Sequence, residues 1–333
     1  MKLRRKNIKI GIIGLSHNCN IGNNLLKYAI SVKLFQLGYT PYIIGKYNYT
    51  RHQDINFIKH HSNLRIIDRF SEIKRNDYDI LMVNSDQTWR KFNRNFYNYA
   101  FLYFARNWNI LKFIYAASLG FKDWKFNKKD ELIAKDCLKS FKGISVREIG
   151  AVERIKKHLN ITPTFVLDPT FLIDKKYYLD IINNFIVDKY IGEDFLFTYI
   201  FTENKNITKF IQKASKSYNY KIFQVKIYNK NAIQKFIYGL YNCKAAITDS
   251  YHGTLFSIIF NKPFVAFISK NKANDRFDSL IKTFKITDRV YEINESPNIN
   301  LLLKNLKIDR QIIKSLKTKS INFLISSLKE YKK

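Results

Sequence analysis

The stretch KIGIIGLSHNCNIGNNLLKYAISVKLFQLG, residues 9–38, decides the fold. Its first six residues, KIGIIG, form a short apolar run of the kind that makes a buried strand. SHNCNIGN interrupts that run with a polar loop. Leu26, Ile30, Leu34 and Leu37 then recur at helical spacing up to Gly38, a C-terminal stop. Strand, loop and helix in that order open a parallel α/β layer, because parallel strands need a helical crossover between them.

Working outward, the alternation continues. PYIIG (41–45), LRII (64–67), DILMVNSD (79–86), LKFIYAAS (111–118) and GISV (143–146) read as further strands, with a helix over 127–141. The pattern restarts with FVLD (165–168), FLFTYIF (195–201), YKIFQV (220–225), KAAITDS (244–250) and PFVAFI (263–268), separated by helical stretches near 206–217, 230–242 and 252–260. The expected fold class is therefore α/β, with two Rossmann-like domains, 1–162 and 163–333, facing each other across a cleft. Segment 310–331, with Ile312, Leu316, Leu324 and Leu328 on one face, reads as a basic amphipathic helix that closes the second domain, to which it is assigned by sequence order, or crosses back to the first.

Composition narrows the class. A chain of 333 residues with 46% hydrophobic and 16% aromatic residues buries two real cores and is not disordered. The three cysteines, Cys19, Cys137 and Cys243, have no metal-ligand spacing, so neither a zinc module nor a disulfide scaffold is expected. The basic, then briefly apolar N-terminus lacks a cleavage site, and no apolar window is long enough to span a bilayer. A cytoplasmic location is expected. Fifty-eight Lys and Arg against 27 Asp and Glu give a formal charge of +31. No basic segment is interleaved with aromatics as in a nucleic-acid recognition module, so nucleic acid is not the expected partner. The excess follows a drift of the whole composition toward Lys. Nine of these cations against two acids fall in 300–333, which suits peripheral contact with anionic lipid at the inner face of a membrane.

In open α/β sheets ligands sit beyond the carboxyl ends of strands, so the loops there hold the candidate residues. In the first, Asn20, Gly22 and Asn23 open a helix whose N–H groups and dipole favour an anion, or they simply cap it. The loop matches neither GxGxxG nor a Walker motif. Ser85, Asp86 and Gln87 make either a capping turn or a polar cleft wall, and Trp89 either stacks on a sugar or packs in the core. Arg147 ends a strand in SVRE, where its planar fork suits a carboxylate or phosphate; the alternative is a pair with Glu148. In TDSYHG (248–253), Asp249 ends a strand, Ser250 is a cap, and His252 and Gly253 stand at a helix start, one imidazole poised for acid–base work. Arg276, in NDRFDSL, adds a cation near the same rim.

Seven segments in order, NCNIGNNLLKYA (18–29), DILMVNSDQTW (79–89), YAASLG (115–120), ISVRE (144–148), VLDPTFL (166–172), TDSYHGTLFSIIFNKPF (248–264) and DRFDSL (275–280), resemble the polysaccharide pyruvyl transferase family over about residues 8–285. The resemblance implies a GT-B-like fold and phosphoenolpyruvate as co-substrate, with no cofactor and no obligatory metal. It also implies a sugar or lipid-linked oligosaccharide of a cell-surface polysaccharide as acceptor, and a pyruvate ketal as product. On that footing His252 and Arg147 are the expected catalytic residues. Ser250, Gly253, Arg276, Gly22 and Asn23 bind the donor, Asn20, Ser85, Asp86, Gln87 and Trp89 face the acceptor or wall the cleft, and Asp249 and Glu148 support. The first domain would be the acceptor side and the second the donor side. Competing expectations are a nucleotide-sugar glycosyltransferase of the same architecture and a non-enzymatic nucleic-acid-binding protein.

Overall fold

A computed structural model describes residues 8–15, 20–45, 57, 60–91, 95–183, 185, 190, 192–269 and 275–331. The chain forms two compact units, Met1–Ile173 with Gln311–Lys333, and Asp174–Arg310.

In the first unit, β1 (Lys9–Ile13), α1 (Ile21–Gln36), β2 (Thr40–Gly45), β3 (Asn63–Ile66), β4 (Ile80–Val83), α2 (Phe96–Phe101), β5 (Leu111–Ala117), α3 (Lys128–Leu138), β6 (Phe141–Val146), α4 (Ile149–Leu159) and β7 (Thr164–Phe165) follow one another. The strands pair in parallel in the order β3-β2-β1-β4-β5-β6-β7. Helices cover the sheet, so β4, whose sequence is ILMV, is buried throughout. Strand order reverses between β1 and β4, which opens a crevice at their carboxyl ends. One sequence expectation is corrected here, and of the two alternatives for the C-terminal helix the crossing back to the first unit is the one observed. The FVLD segment begins no second sheet; Val146 pairs with Phe165, making β7 the edge of the first sheet. The amphipathic helix α10 (Arg310–Lys329) also completes the first unit. Its Leu324 and Leu328 are buried, its Ser320 Oγ accepts Leu167 N–H at 2.9 Å, and just beyond it the Tyr331 hydroxyl reaches Asp79 at 2.9 Å.

The second unit contains α5 (Lys175–Leu179), β8 (Phe195–Tyr199), α6 (Lys205–Tyr218), β9 (Lys221–Gln224), α7 (Ala232–Asn242), β10 (Ala245–Thr248), α8 (Tyr251–Phe260), β11 (Phe264–Ile268), α9 (Asp275–Phe284) and β12 (Val290–Glu292). Its sheet is parallel in the order β12-β11-β10-β8-β9, reversing between β8 and β10. Asn204 caps α6 by accepting from Asn206 and Ile207 N–H, and Asn219 ends it in the left-handed conformation at φ 52°.

Candidate functional sites

At the β1/β4 reversal of the first unit, the loops beyond five strands are stitched together by polar side chains. Asn20 caps α1, its side chain accepting Asn23 N–H at 3.2 Å, and Asn23 Nδ2 crosses the crevice to donate to Asp86 Oδ2 at 2.8 Å. The guanidinium of Arg147 is 1% exposed and lies among three carboxylates: Asp168 at 2.6 Å, Asp86 at 3.2 Å and Glu148 at 3.7 Å. Ser85 Oγ donates to Ala116 O at 2.7 Å and accepts from Arg147 at 3.4 Å. Asp168 also accepts from the Thr170 N–H and hydroxyl, and Glu148 from Leu119 N–H. Among the described residues, three carboxylates face this one guanidinium. Burial raises the Tyr115 phenol well above its ordinary value, and the Asp168 charge pushes the same way against the hydrogen bond with Ser320. The backbone is strained here too: Asp86 has φ 85° and Ala116 φ 54°.

Two residues of this crevice were not among the site residues expected from sequence. Asn24 and Asn84 are 0% and 1% exposed, and neither carboxamide meets a hydrogen-bond partner among the described residues. Such amides are the ones that a ligand or ordered water completes. The signal in the sequence was present but diluted, since asparagine is abundant throughout the chain. Asp168, central to the Arg147 cluster, was legible only as the end of an apolar run before Pro169.

In the second unit the β10–α8 junction forms a tight polar corner. The Thr248 hydroxyl donates to Tyr199 O at 2.7 Å and accepts Ser250 N–H at 3.0 Å. Ser250 caps α8, its Oγ accepting Gly253 N–H at 3.3 Å. His252, 4% exposed, lies 5.4 Å from the Tyr251 ring, and the Arg276 guanidinium stands over the same ring at 5.2 Å. The Tyr251 ring thus links the expected imidazole to the expected cation. Asp249 reaches across the β8/β10 reversal to accept Phe201 N–H at 2.8 Å and Thr202 N–H at 2.7 Å.

Several expectations need correction. Arg147, expected to offer its guanidinium to an anion, is buried and ion-paired, with Asp86 and Asp168 converging on it from the ends of β4 and β7. Trp89 is a core residue, 1% exposed, with Nε1 donating to Ala100 O and its ring edge-on to Phe101 at 5.4 Å. Gly253 is required by packing on Thr248: a Cβ there would lie 2.3 Å from Thr248 Oγ1. Gln87 lies over Gly120, where the φ of +76° strains any side chain and a Cβ would lie 3.0 Å from Gln87 Nε2. Gly22 is buried in the first turn of α1. His17, Asn18 and Cys19 of the first loop lie outside the described residues.

Among solved structures, a protein provisionally assigned as a UDP-N-acetylglucosamine 2-epimerase from Listeria monocytogenes is similar with a TM-score of 0.60, at 10% identity over 97% of this chain and 96% of that one. UDP-GlcNAc 2-epimerase from Methanocaldococcus jannaschii gives 0.58 at 13% identity, covering 96% and 99%. Arabidopsis thaliana UGT89C1, solved with UDP-L-rhamnose, gives 0.55 at 10% identity, covering 98% of each. At such identities the likeness establishes the fold class, GT-B-like with two Rossmann-like units, and no activity. No curated protein matches the sequence. The profile of the polysaccharide pyruvyl transferases matches residues 20–271, most of the chain, taking in five of the seven segments discussed above whole and all but the first two residues of the 18–29 segment. With the two parallel sheets and the polar strand-end loops in place, this protein belongs to the polysaccharide pyruvyl transferase family.

Proposed function

We propose that the protein transfers the pyruvyl group of phosphoenolpyruvate to two hydroxyls of one sugar in a cell-surface polysaccharide or its lipid-linked precursor. The observation that carries this reading is the β10–α8 corner of a family member, where His252 and Arg276 flank one aromatic ring at the positive end of a helix. In the reaction the C3 methylene of the enol phosphate takes up a proton, and C2 accepts a first sugar oxygen. Phosphate leaves C2, and a second sugar oxygen adds in its place. The two hydroxyl protons balance the one gained by C3 and the one carried off by phosphate. His252 supplies the proton to C3. Arg276 and the Ser250-capped start of α8 hold the donor's two anionic groups. Arg147 acts as a positioning residue that fixes the strand-end loops of the first unit, with Glu148 supporting it.

The test is to incubate the protein with phosphoenolpyruvate and a panel of lipid-linked and nitrophenyl sugars. The product is read as a mass gain of one pyruvate less one water, with stoichiometric phosphate release. His252→Asn is expected to lose at least ~10²-fold in turnover with an unchanged melting temperature. Retained turnover would remove the histidine from the chemistry.

Because solved neighbours carry UDP-sugars, thermal shift with nucleotide sugars beside phosphoenolpyruvate separates the donor classes. No described helix is long and apolar enough to cross a membrane. The exposed Lys314 and Lys319 of α10 support peripheral contact with an anionic leaflet, checked by salt-sensitive cosedimentation with phosphatidylglycerol vesicles.

A further inference from the structure

The second unit holds a cavity of about 300 Å³ that the β10–α8 corner does not use, at the carboxyl ends of β8 and β9 beside α6. Its floor is apolar, made by four isoleucines, Ile200, Ile207, Ile211 and Ile227. Two aromatic side chains that line it, Phe201 and Tyr228, are 48% and 64% exposed. They are two of the three large aromatic side chains exposed among the described residues of this unit, Tyr241 being the third. Between them lie Thr202, Glu203, Gln224 and Lys226, which offer hydroxyl, carboxylate, amide and ammonium groups. The Lys226 ammonium lies 5.6 Å from the Tyr228 ring and feels the Glu203 carboxylate.

We infer that this cavity is a pyranose-binding subsite, with Phe201 and Tyr228 stacking on the C–H faces of a sugar ring and the four polar side chains reading its hydroxyls. The volume stands at the small end of ligand pockets, enough for one or two sugar rings. Flat, weakly polar rings beside mixed donors and acceptors match a molecule that is apolar on its faces and polar around its edge. A dianionic ligand fits less well, because Glu203 offsets Lys226. The loop carrying Phe201 and Thr202 is not left loose. Both of its N–H groups are held by Asp249, the residue immediately before the Ser250 cap. A sugar bound here would therefore lie on a loop fixed to the same corner that carries His252. That the sugar is the acceptor rests on the proposed function, whereas its binding does not. It would also put a saccharide on the second unit, where the sequence led us to expect only the donor.

The test uses the full chain and methyl pyranosides of glucose, galactose, mannose and N-acetylglucosamine, followed by saturation-transfer NMR and titration. At least one pyranoside is expected to bind with transfer to its ring C–H protons. Phe201→Ala and Tyr228→Ala should each weaken it by about three- to tenfold, the scale of one aromatic contact, while Tyr228→Phe keeps most of the affinity. Thermal shift by phosphoenolpyruvate, measured on the same variants, should be unaltered. Binding by none of the pyranosides, binding indifferent to both alanine variants, or displacement of the sugar by UMP would each overturn the subsite. Pyranoside binding that is lost in the two alanine variants, in a wild-type protein that ignores phosphoenolpyruvate, would uphold the subsite and overturn the donor reading instead.

Discussion

Arg147 shows how a single side chain changes meaning between sequence and fold. As a strand-end arginine it looked like an anion receptor. Its guanidinium is closed in by Asp86, Asp168 and Glu148, and Ser85 is the only neutral side chain among the contacts described for it. Removing one member of a buried ionic cluster leaves uncompensated charge and typically costs 3–5 kcal/mol. Arg147→Ala is therefore expected to lower the unfolding free energy by about that much in urea titrations. Arg147→Lys should recover only part of it, because a point ammonium cannot contact Asp86 and Asp168 as a planar fork does. A variant of wild-type stability with only a raised KM for phosphoenolpyruvate would return Arg147 to the donor site. What sequence could not supply here is tertiary: whether a polar residue at a strand end faces a ligand or another strand end depends on residues more than sixty positions away, as Asp86 is from Arg147.

Among the elements, α3 illustrates a local code that is fully written in the chain. Asn127 accepts Asp130 N–H at 2.9 Å while Asp130 accepts Asn127 N–H at 3.0 Å, a reciprocal cap. Lys91 and the Tyr97 hydroxyl converge on the same carboxylate at 2.8 and 2.6 Å. Burial alone would raise the Asp130 carboxyl, but the hydrogen bonds from Lys91, Tyr97 and the cap hold it below its usual range. The Tyr97 phenol is pushed up to about 12, first by burial and then by this carboxylate. A carboxyl depressed in the folded state adds stability that is complete above its unfolded value of ~3.9 and disappears as pH falls through the lower folded value. Urea titrations at pH 7, 4 and 2.5 should therefore show a loss toward acid that is smaller in Asp130→Asn, with the variant already less stable at pH 7. Equal pH slopes in the two proteins would contradict this.

For the molecule as a whole, the alternation of short apolar runs with helical segments disclosed both sheets, since parallel pairing leaves few other arrangements for such a chain. Its partition was less legible. FVLD and 310–331 follow the same local rules as their neighbours, and only long-range burial decides which core receives them. Leu324 and Leu328 of α10 are buried and Ser320 satisfies Leu167 N–H, so a chain stopped at Arg310 loses about 1.5–3 kcal/mol for each leucine in addition to an orphaned amide. In limited proteolysis of that truncation, the first unit should be cut well before Asp174–Arg310. Equal protection of both units would mean that α10 is dispensable.

The return of α10 to the first unit also has a bearing on synthesis. The ribosome releases β1 through β7 first, yet the core they form lacks its covering helix until residues 311–329 emerge. The intervening segment, by contrast, has every strand and helix of its own available earlier and can finish folding first. Nascent chains of this protein thus carry a nearly complete sheet without its last helix for the time taken to translate about 140 residues, several seconds to half a minute at ordinary rates of synthesis. That interval, more than the final stability, is when chaperone capture or aggregation competes with folding.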